Sequence, residues 1–233
     1  MTNPLRITSY NIRKAVGTDR RRDPARILRV IAETAAEIVL LQEADLRLPP
    51  RRPVLDPAAI RAATGLVAVD PGHGRVSAGW HGNMLLTAPG IGVEHVALHD
   101  LPGLEPRGCI EAVLLRDGIR LRVLGVHLGL LRASRRSQLS AVLGFLAEGS
   151  LMPTLIAGDF NERSLQVGLG RLSRQFRILS GGPTWHARKP IFALDRMAVS
   201  PGLMPLSLSV HRSADAARAS DHLPLVGEFG VEG

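Results

Sequence analysis

The chain is short of several things, and each shortage excludes a class of protein. Cys109 is its only cysteine, so no internal disulfide can form, and no Cys/His cluster has the spacing of a zinc site. Aromatic residues make up 3% of the sequence, which leaves few flat faces on which unpaired bases could stack. No apolar run is long enough to cross a bilayer. The first residues, Met1 to Tyr10, carry one basic side chain and no long apolar stretch followed by a small-residue cleavage site, so no secretory signal is expected and the expected location is the cytoplasm. Low-complexity segments, short repeats and linker-like stretches are lacking too. One domain over residues 1–233 is therefore the expected organisation.

The 233 residues are 45% hydrophobic, enough for a large core without staples and too many for a disordered chain. The formal charge is 29 − 21 = +8, and nearly all the basic residues are arginine. Arginine grips phosphate in a planar, two-pronged way, so the balance suits an anionic substrate. A GC-rich coding composition, which also favours Ala, Gly, Pro and Leu, would give the same excess.

Hydrophobic periodicity divides the chain into alternating elements. Leu5–Tyr10 alternates as a strand does. Asp23-Pro24 is a helix start, with a capping carboxylate followed by proline at the first helical position; Ile27, Val30 and Ile31 follow at helical spacing and carry the helix to about Glu37. Ile38–Leu41 is a short buried strand. Leu66–Val69, Met84–Leu86, Ile110–Leu115 and Leu121–Val126 also fit strands, with Asp117-Gly118 as a hairpin turn between the last two. Ser134 is expected to cap a second helix, with Leu139, Val142, Leu143 and Leu146 on one face. Strands at Thr154–Ala157, Phe192–Val199, Leu206–Val210 and Leu225–Phe229 complete the set. The stretches Arg47–Pro57, Pro71–Gly82 and Ser180–Pro190 are expected loops. His73, His81, His95, His99, His186 and His211 are expected in loops or on the surface, and Cys109 in the core.

A longer regularity lies over these elements. A strand ends at Asn11, a helix follows, and the next strand ends near Glu43. Another strand ends at His127, a helix follows, and the next strand ends near Asp159. The separations are equal: 43 − 11 = 32 and 159 − 127 = 32. Two such strand–helix–strand units facing each other predict an α/β fold, a four-layer sandwich of two packed mixed sheets with helices outside, and a site at the rim of the sheets.

Four short motifs carry polar groups at those rims. In Gly158-Asp159-Phe160-Asn161-Glu162, glycine permits a sharp turn and Asp159 and Asn161 project from it, a charged acceptor beside an amide that both donates and accepts. Such a pair can hold a water against phosphorus; it is also a common turn composition. In Ser220-Asp221-His222-Leu223-Pro224 a carboxylate and an imidazole enter a terminal apolar strand, where one can bind a metal and the other donate to a phosphate oxygen. In Leu41-Gln42-Glu43 a carboxylate follows a buried strand, an expensive place unless it is solvated, paired or metal-bound, and a hard oxygen ligand suits magnesium. In Leu194-Asp195-Arg196 a charge interrupts an apolar run; Asp195 either pairs with Arg196 or orients His222.

Together the segments Ser9-Tyr10-Asn11, Leu41-Gln42-Glu43, Gly125-Val126-His127-Leu128, Gly158-Asp159-Phe160-Asn161, Leu194-Asp195-Arg196 and Ser220-Asp221-His222 resemble, in order, the markers of the endonuclease/exonuclease/phosphatase family, which includes abasic-site endonucleases, pancreatic-type deoxyribonucleases, sphingomyelinases and inositol phosphatases. They span positions 9 to 222, and the chain looks most like small bacterial members without appended modules. The resemblance implies the DNase-like four-layer sandwich. It also implies a magnesium ion, replaceable by manganese, held by Glu43 with Asn11 and Asp221 in or near its shell. Asp159 would orient or deprotonate the attacking water, and Asn161 would position it. His222, held by Asp195, would contact the phosphate, and His127 would serve the leaving oxygen. A phosphate-contacting tyrosine found mid-chain in several family nucleases has no counterpart, since Tyr10 is the sole tyrosine; Asn83 and Arg107 are the expected substitutes, although a solvated surface role is open to Arg107. Trp185 is placed either in the cleft or in packing, and Arg135 and Arg136 on a solvated helix face.

The expected function is hydrolysis of phosphodiesters by a monomeric enzyme, with nucleic acid or a phospholipid-type headgroup as substrate. The alternatives are a phosphomonoesterase acting on a small phosphorylated metabolite and a catalytically silent module that binds phosphate or nucleic acid.

Overall fold

The apolar runs become the central strands of two mixed sheets. The computed structural model describes residues 4–47, 50–72, 79–164 and 167–231; His73 lies outside them. The order of elements is β1 (Leu5–Asn11), α1 (Pro24–Glu33), β2 (Ile38–Gln42), α2 (Pro57–Thr64), β3 (Val67–Ala68), β4 (Met84–Thr87), β5 (Gly92–Leu101), β6 (Arg107–Arg116), β7 (Ile119–His127), α3 (Arg132–Glu148), β8 (Thr154–Asp159), β9 (Arg177–Leu179), β10 (Asp195–Val199), β11 (Leu203–Val210), α4 (Ala216–Ala219) and β12 (Leu225–Val231). One six-stranded sheet has the order β11-β12-β1-β2-β4-β3, the other β5-β6-β7-β8-β10-β9. The two equally spaced units are the parallel pairs at the centre of each sheet, β1 with β2 and β7 with β8. Each pair is flanked in the same sense by antiparallel neighbours: β12 and β4 in one sheet, β6 and β10 in the other.

Alternation along the strands builds the layers. Ile38 and Leu40 point between the sheets, where they meet Ile110, Val123 and Leu155, while Val39 and Leu41 face outward onto Ile27, Val30 and Ile31 of α1. On the far side Leu124, Val126 and Ile156 receive Leu139 and Val142 of α3. Strands covered on both faces must be apolar at every position, which is why Ile38–Leu41 has no polar residue. The result is a four-layer α/β-sandwich.

Several expected boundaries move. The Asp23 carboxylate does cap α1, accepting from the Arg26 N–H at 3.0 Å, but the helix stops at Glu33 rather than Glu37. The Thr34 hydroxyl donates to the Ile31 carbonyl, Ala35 turns left-handed, and the Glu37 N–H is taken by the Arg6 carbonyl of β1. Ser134 does not cap α3: the helix starts at Arg132 behind Leu131, with no side-chain cap, and Ser134 is buried in its first turn. The supposed loop ending at Pro57 leads into α2, capped by Asp56 and closed by Gly65 at φ 73°. The strand expected from Phe192 begins only at Asp195, because Phe192 instead pairs with Thr184 and Trp185. The Asp117-Gly118 hairpin is present, both residues at positive φ between Arg116 and Ile119.

Candidate active site

The ends of the two parallel pairs meet at one rim. Asn11 ends β1 and Glu43 follows β2; His127 ends β7 and Asp159 ends β8. Asp159 lies in register with His127 on one side and with Asp195, the first residue of β10, on the other. The turn out of β8 depends on Gly158: at φ 154° a Cβ there would lie 1.8 Å from the Val126 carbonyl oxygen. Asn161 then adopts φ 49°, its N–H donating to Asp159 Oδ1 at 2.9 Å and its amide to the Leu128 carbonyl at 2.9 Å. Left-handed geometry is tolerated by asparagine better than by most residues, so this turn fits its sequence.

Three groups converge on the other oxygen of that carboxylate. Asn11 Nδ2 donates to Asp159 Oδ2 at 3.0 Å, His127 Nε2 lies 3.5 Å away and His222 Nε2 3.6 Å away. His222 comes from the first sheet, just before β12, and its Nδ1 meets Asp195 Oδ2 at 2.8 Å. Arg196 does not compete for Asp195: its guanidinium, fully buried, donates to the Ser180 hydroxyl and the Glu162 carbonyl. Of the two readings of Asp195, the geometry matches the one in which it holds the imidazole.

Burial and charge set the protonation of this cluster apart. Burial lowers the pKa of His222, but the carboxylates of Asp195 and Asp159 outweigh it and push the imidazole up to about 10, so His222 is a cation at neutral pH. His127 is driven well below the ordinary histidine range by burial and by the positive charges of Arg107 and His222, and is neutral. Burial pushes Asp159 up to about 6, against the opposing pull of His222. A cation, a neutral imidazole and a carboxylate titrating near neutrality thus share one small volume.

They open on a cleft of about 340 Å³ whose wall includes Asn11, Glu43, His127, Asp159, Asn161 and His222. Arg47, Arg107, Arg163 and Trp185 also line it. Arg107, at the start of β6, is 6% exposed, and its Nε has no hydrogen-bond partner among the described residues. Burial lowers its pKa. A buried guanidinium Nε without a partner is costly, and an anion in the cleft could pair with the group. Arg163 is steadied by its stack on Phe192, 4.1 Å from the ring centre.

Two expected site residues are not among those that line this cleft. Asn83 is fully buried and braces backbone, its amide donating to the carbonyls of Trp80 at 3.1 Å and Gly108 at 2.9 Å. It fastens the turn before β4 to the start of β6, behind Arg107, and does not reach the cleft. Asp221 is not on the cleft wall either: its Oδ2 faces Arg13 Nε at 3.6 Å. Arg135, expected on a solvated helix face, is buried against Glu162 at 2.9 Å. Arg47, Arg163 and Leu130 on the cleft wall escaped the sequence reading. In a chain this rich in arginine and leucine, such residues in loops have no contrast with their background.

Comparison with known proteins agrees with the markers. The sequence profile described as "Endonuclease/Exonuclease/phosphatase family" matches residues 8–222. The protein YbhP of Escherichia coli K12, named as uncharacterized, is 32% identical over an alignment of 172 residues that covers 65% of this chain and 63% of YbhP; the chain thus matches under two thirds of that relative's length. Among solved structures, D. rerio TDP2 complexed with a single-strand DNA product superposes with a TM-score of 0.71 at 18% identity, covering 99% of this chain and 100% of the other. The mannosyl-6-phosphatase Bt3783 of Bacteroides thetaiotaomicron superposes with a TM-score of 0.71 at 17% identity, covering 97% and 99%. Likeness at that identity speaks for the fold alone.

Proposed function

The chain belongs to the endonuclease/exonuclease/phosphatase family, and from that premise we propose that it is a magnesium-dependent phosphodiesterase. The observation that carries this reading is the convergence of Asn11, His127 and His222 on Asp159 Oδ2 at the floor of a cleft with Glu43 on its wall.

In this reading Asp159 orients a water and accepts its proton as the water oxygen bonds to phosphorus and the ester oxygen leaves. A carboxylate raised toward neutrality is a better base than an ordinary one. Asn161 fixes the Asp159 carboxylate through its N–H. His222, held as a cation by Asp195, donates to a phosphate oxygen as negative charge builds there. Its orientation matters as much as its charge, since the Asp195 contact leaves only Nε2 for the substrate. His127, kept neutral, offers one N–H to a substrate oxygen and has no second proton to give. Arg107 supplies a desolvated positive charge at the phosphate.

The donor set suits a magnesium ion. Glu43 and the Asn11 carbonyl offer oxygen ligands, and among the described residues no group of three or more His, Cys, Asp or Glu is arranged to hold a metal ion by itself. Magnesium takes one or two carboxylates and keeps several waters, whereas zinc sites gather nitrogen and sulfur. Glu43 would hold the ion, with Asn11 beside it; the Asn11 oxygen already accepts from the Arg13 N–H at 3.0 Å and has a second lone pair to offer. When bound, such an ion would supply positive charge that polarises the phosphoryl group. No helix among the described residues is long and apolar enough to cross a membrane.

A magnesium-supplemented screen against plasmid DNA, RNA, bis-p-nitrophenyl phosphate, p-nitrophenyl phosphate and phospholipid vesicles tests the reading. Turnover of at least one diester is expected. Turnover of p-nitrophenyl phosphate alone would replace the diesterase with a monoesterase, and no turnover of any would leave a silent binding module.

A further inference from the structure

Lys14 is one of two lysines, the other being Lys189, in a chain with 29 basic residues, and it is aimed at the proposed metal ligand. Its Nζ pairs with Glu43 Oε2, and its backbone N–H donates to the Glu43 carbonyl at 3.0 Å. Side chain and main chain therefore clasp the same residue. Both partners are left-handed, Lys14 at φ 54° and Glu43 at φ 53°, and Arg13 and Ala15 beside Lys14 are left-handed too, at 45° and 57°. Non-glycine residues persist in that region only where their surroundings over-determine them. Here the Ile12 N–H is held by the Gln42 carbonyl at 3.0 Å, the Arg13 N–H by the Asn11 side chain, and the Lys14 carbonyl by Arg22 Nε at 3.2 Å. An ammonium on such a turn is not a wandering surface charge. It is also a compact point charge that can rest on a single carboxylate oxygen, unlike a guanidinium fork.

We propose that Lys14 is a resident counter-ion of the metal site: its ammonium neutralises Glu43 in the metal-free protein and competes with the divalent ion for that carboxylate. The inference rests on the assignment of Glu43 as metal ligand. Two cations drawn to one carboxylate repel each other whether the ammonium leaves or merely swings aside, so the lysine lowers metal affinity while it keeps Glu43 in place for the metal.

Calorimetric titration of magnesium into the full chain tests this directly, with wild type, K14M, K14Q, E43Q and K189M compared. Both Lys14 variants are expected to bind magnesium about two- to fivefold more tightly than wild type, the range set by a partly exposed ion pair. K189M, whose exposed side chain is not on the cleft wall, should match wild type, and E43Q should lose binding. K14Q keeps a hydrogen-bonding head against Glu43, so it remains informative if K14M fails to fold. Equal or weaker binding in the Lys14 variants, with E43Q still deficient, would overturn the counter-ion and leave the metal site standing. Wild-type affinity in E43Q would remove the metal assignment and the inference with it.

Discussion

Glu43 and Asp159 both line the cleft, and in the proposed reading their different surroundings divide the labour between them. Glu43 is clasped by a lysine at the end of β2, as a ligand awaiting a cation would be, while Asp159 is surrounded by Asn11, His127 and His222. E43Q should therefore lose activity that high magnesium partly restores. D159N should lose about 10²–10⁴-fold, the ordinary contribution of a proton-accepting group, and magnesium should not restore it. Rates of both variants across a magnesium titration decide the matter; equal rescue would make Asp159 a metal ligand. At this scale the sequence was informative wherever a polar residue closed an apolar run, because burying such a group without a partner is expensive. It was uninformative about direction. Asn83 stands one residue before β4 and Asp221 one before His222, yet Asn83 braces backbone and Asp221 turns to Arg13, since the spacing that places a residue at a rim does not say which way its side chain turns.

Between elements, the turn after β8 is fastened from two sides. Gly158 admits the close approach of the Val126 carbonyl, so G158A should destabilise the fold by about 3 kcal/mol or more, read from urea melts. Glu162, 1% exposed, binds Arg132 at 3.0 Å and Arg135 at 2.9 Å, tying the turn to α3. Burial raises its pKa, but the two guanidinium groups outweigh it and hold the carboxyl down to about 2. A depressed carboxylate contributes stability above its unfolded pKa of about 4.3 and loses it as pH falls toward the folded value. E162Q should thus be less stable than wild type by about 1–3 kcal/mol at pH 7, and the gap should narrow between about pH 4.3 and 2; a gap constant across that range would refute the ion pair's contribution. The elements themselves were legible where periodicity was strong, as in α1 and β2. Asp56-Pro57 repeats the Asp-Pro signal of α1 but opens a helix of only eight residues, too short for a periodic stripe. β5 was missed because it lies at a sheet edge with half-exposed positions, and such a strand has no clean alternation to display.

For the molecule as a whole, the two sheets share one plan. Each centres on a parallel pair with antiparallel neighbours in the same sense, and each delivers its strand ends to the same rim. The equal spacing of 32 residues in the sequence was the trace of that plan. It could show that two units existed; only their packing shows that Asn11 and Glu43 of one face His127 and Asp159 of the other. The central claim is that this rim hydrolyses phosphoesters with the help of a divalent ion bound through oxygen ligands. The measurement that meets it most directly is the rate on the best substrate of the screen in excess EDTA, followed by repletion with magnesium or manganese. The rate should fall to background in the chelator and return with either ion, and undiminished turnover in EDTA would contradict the account.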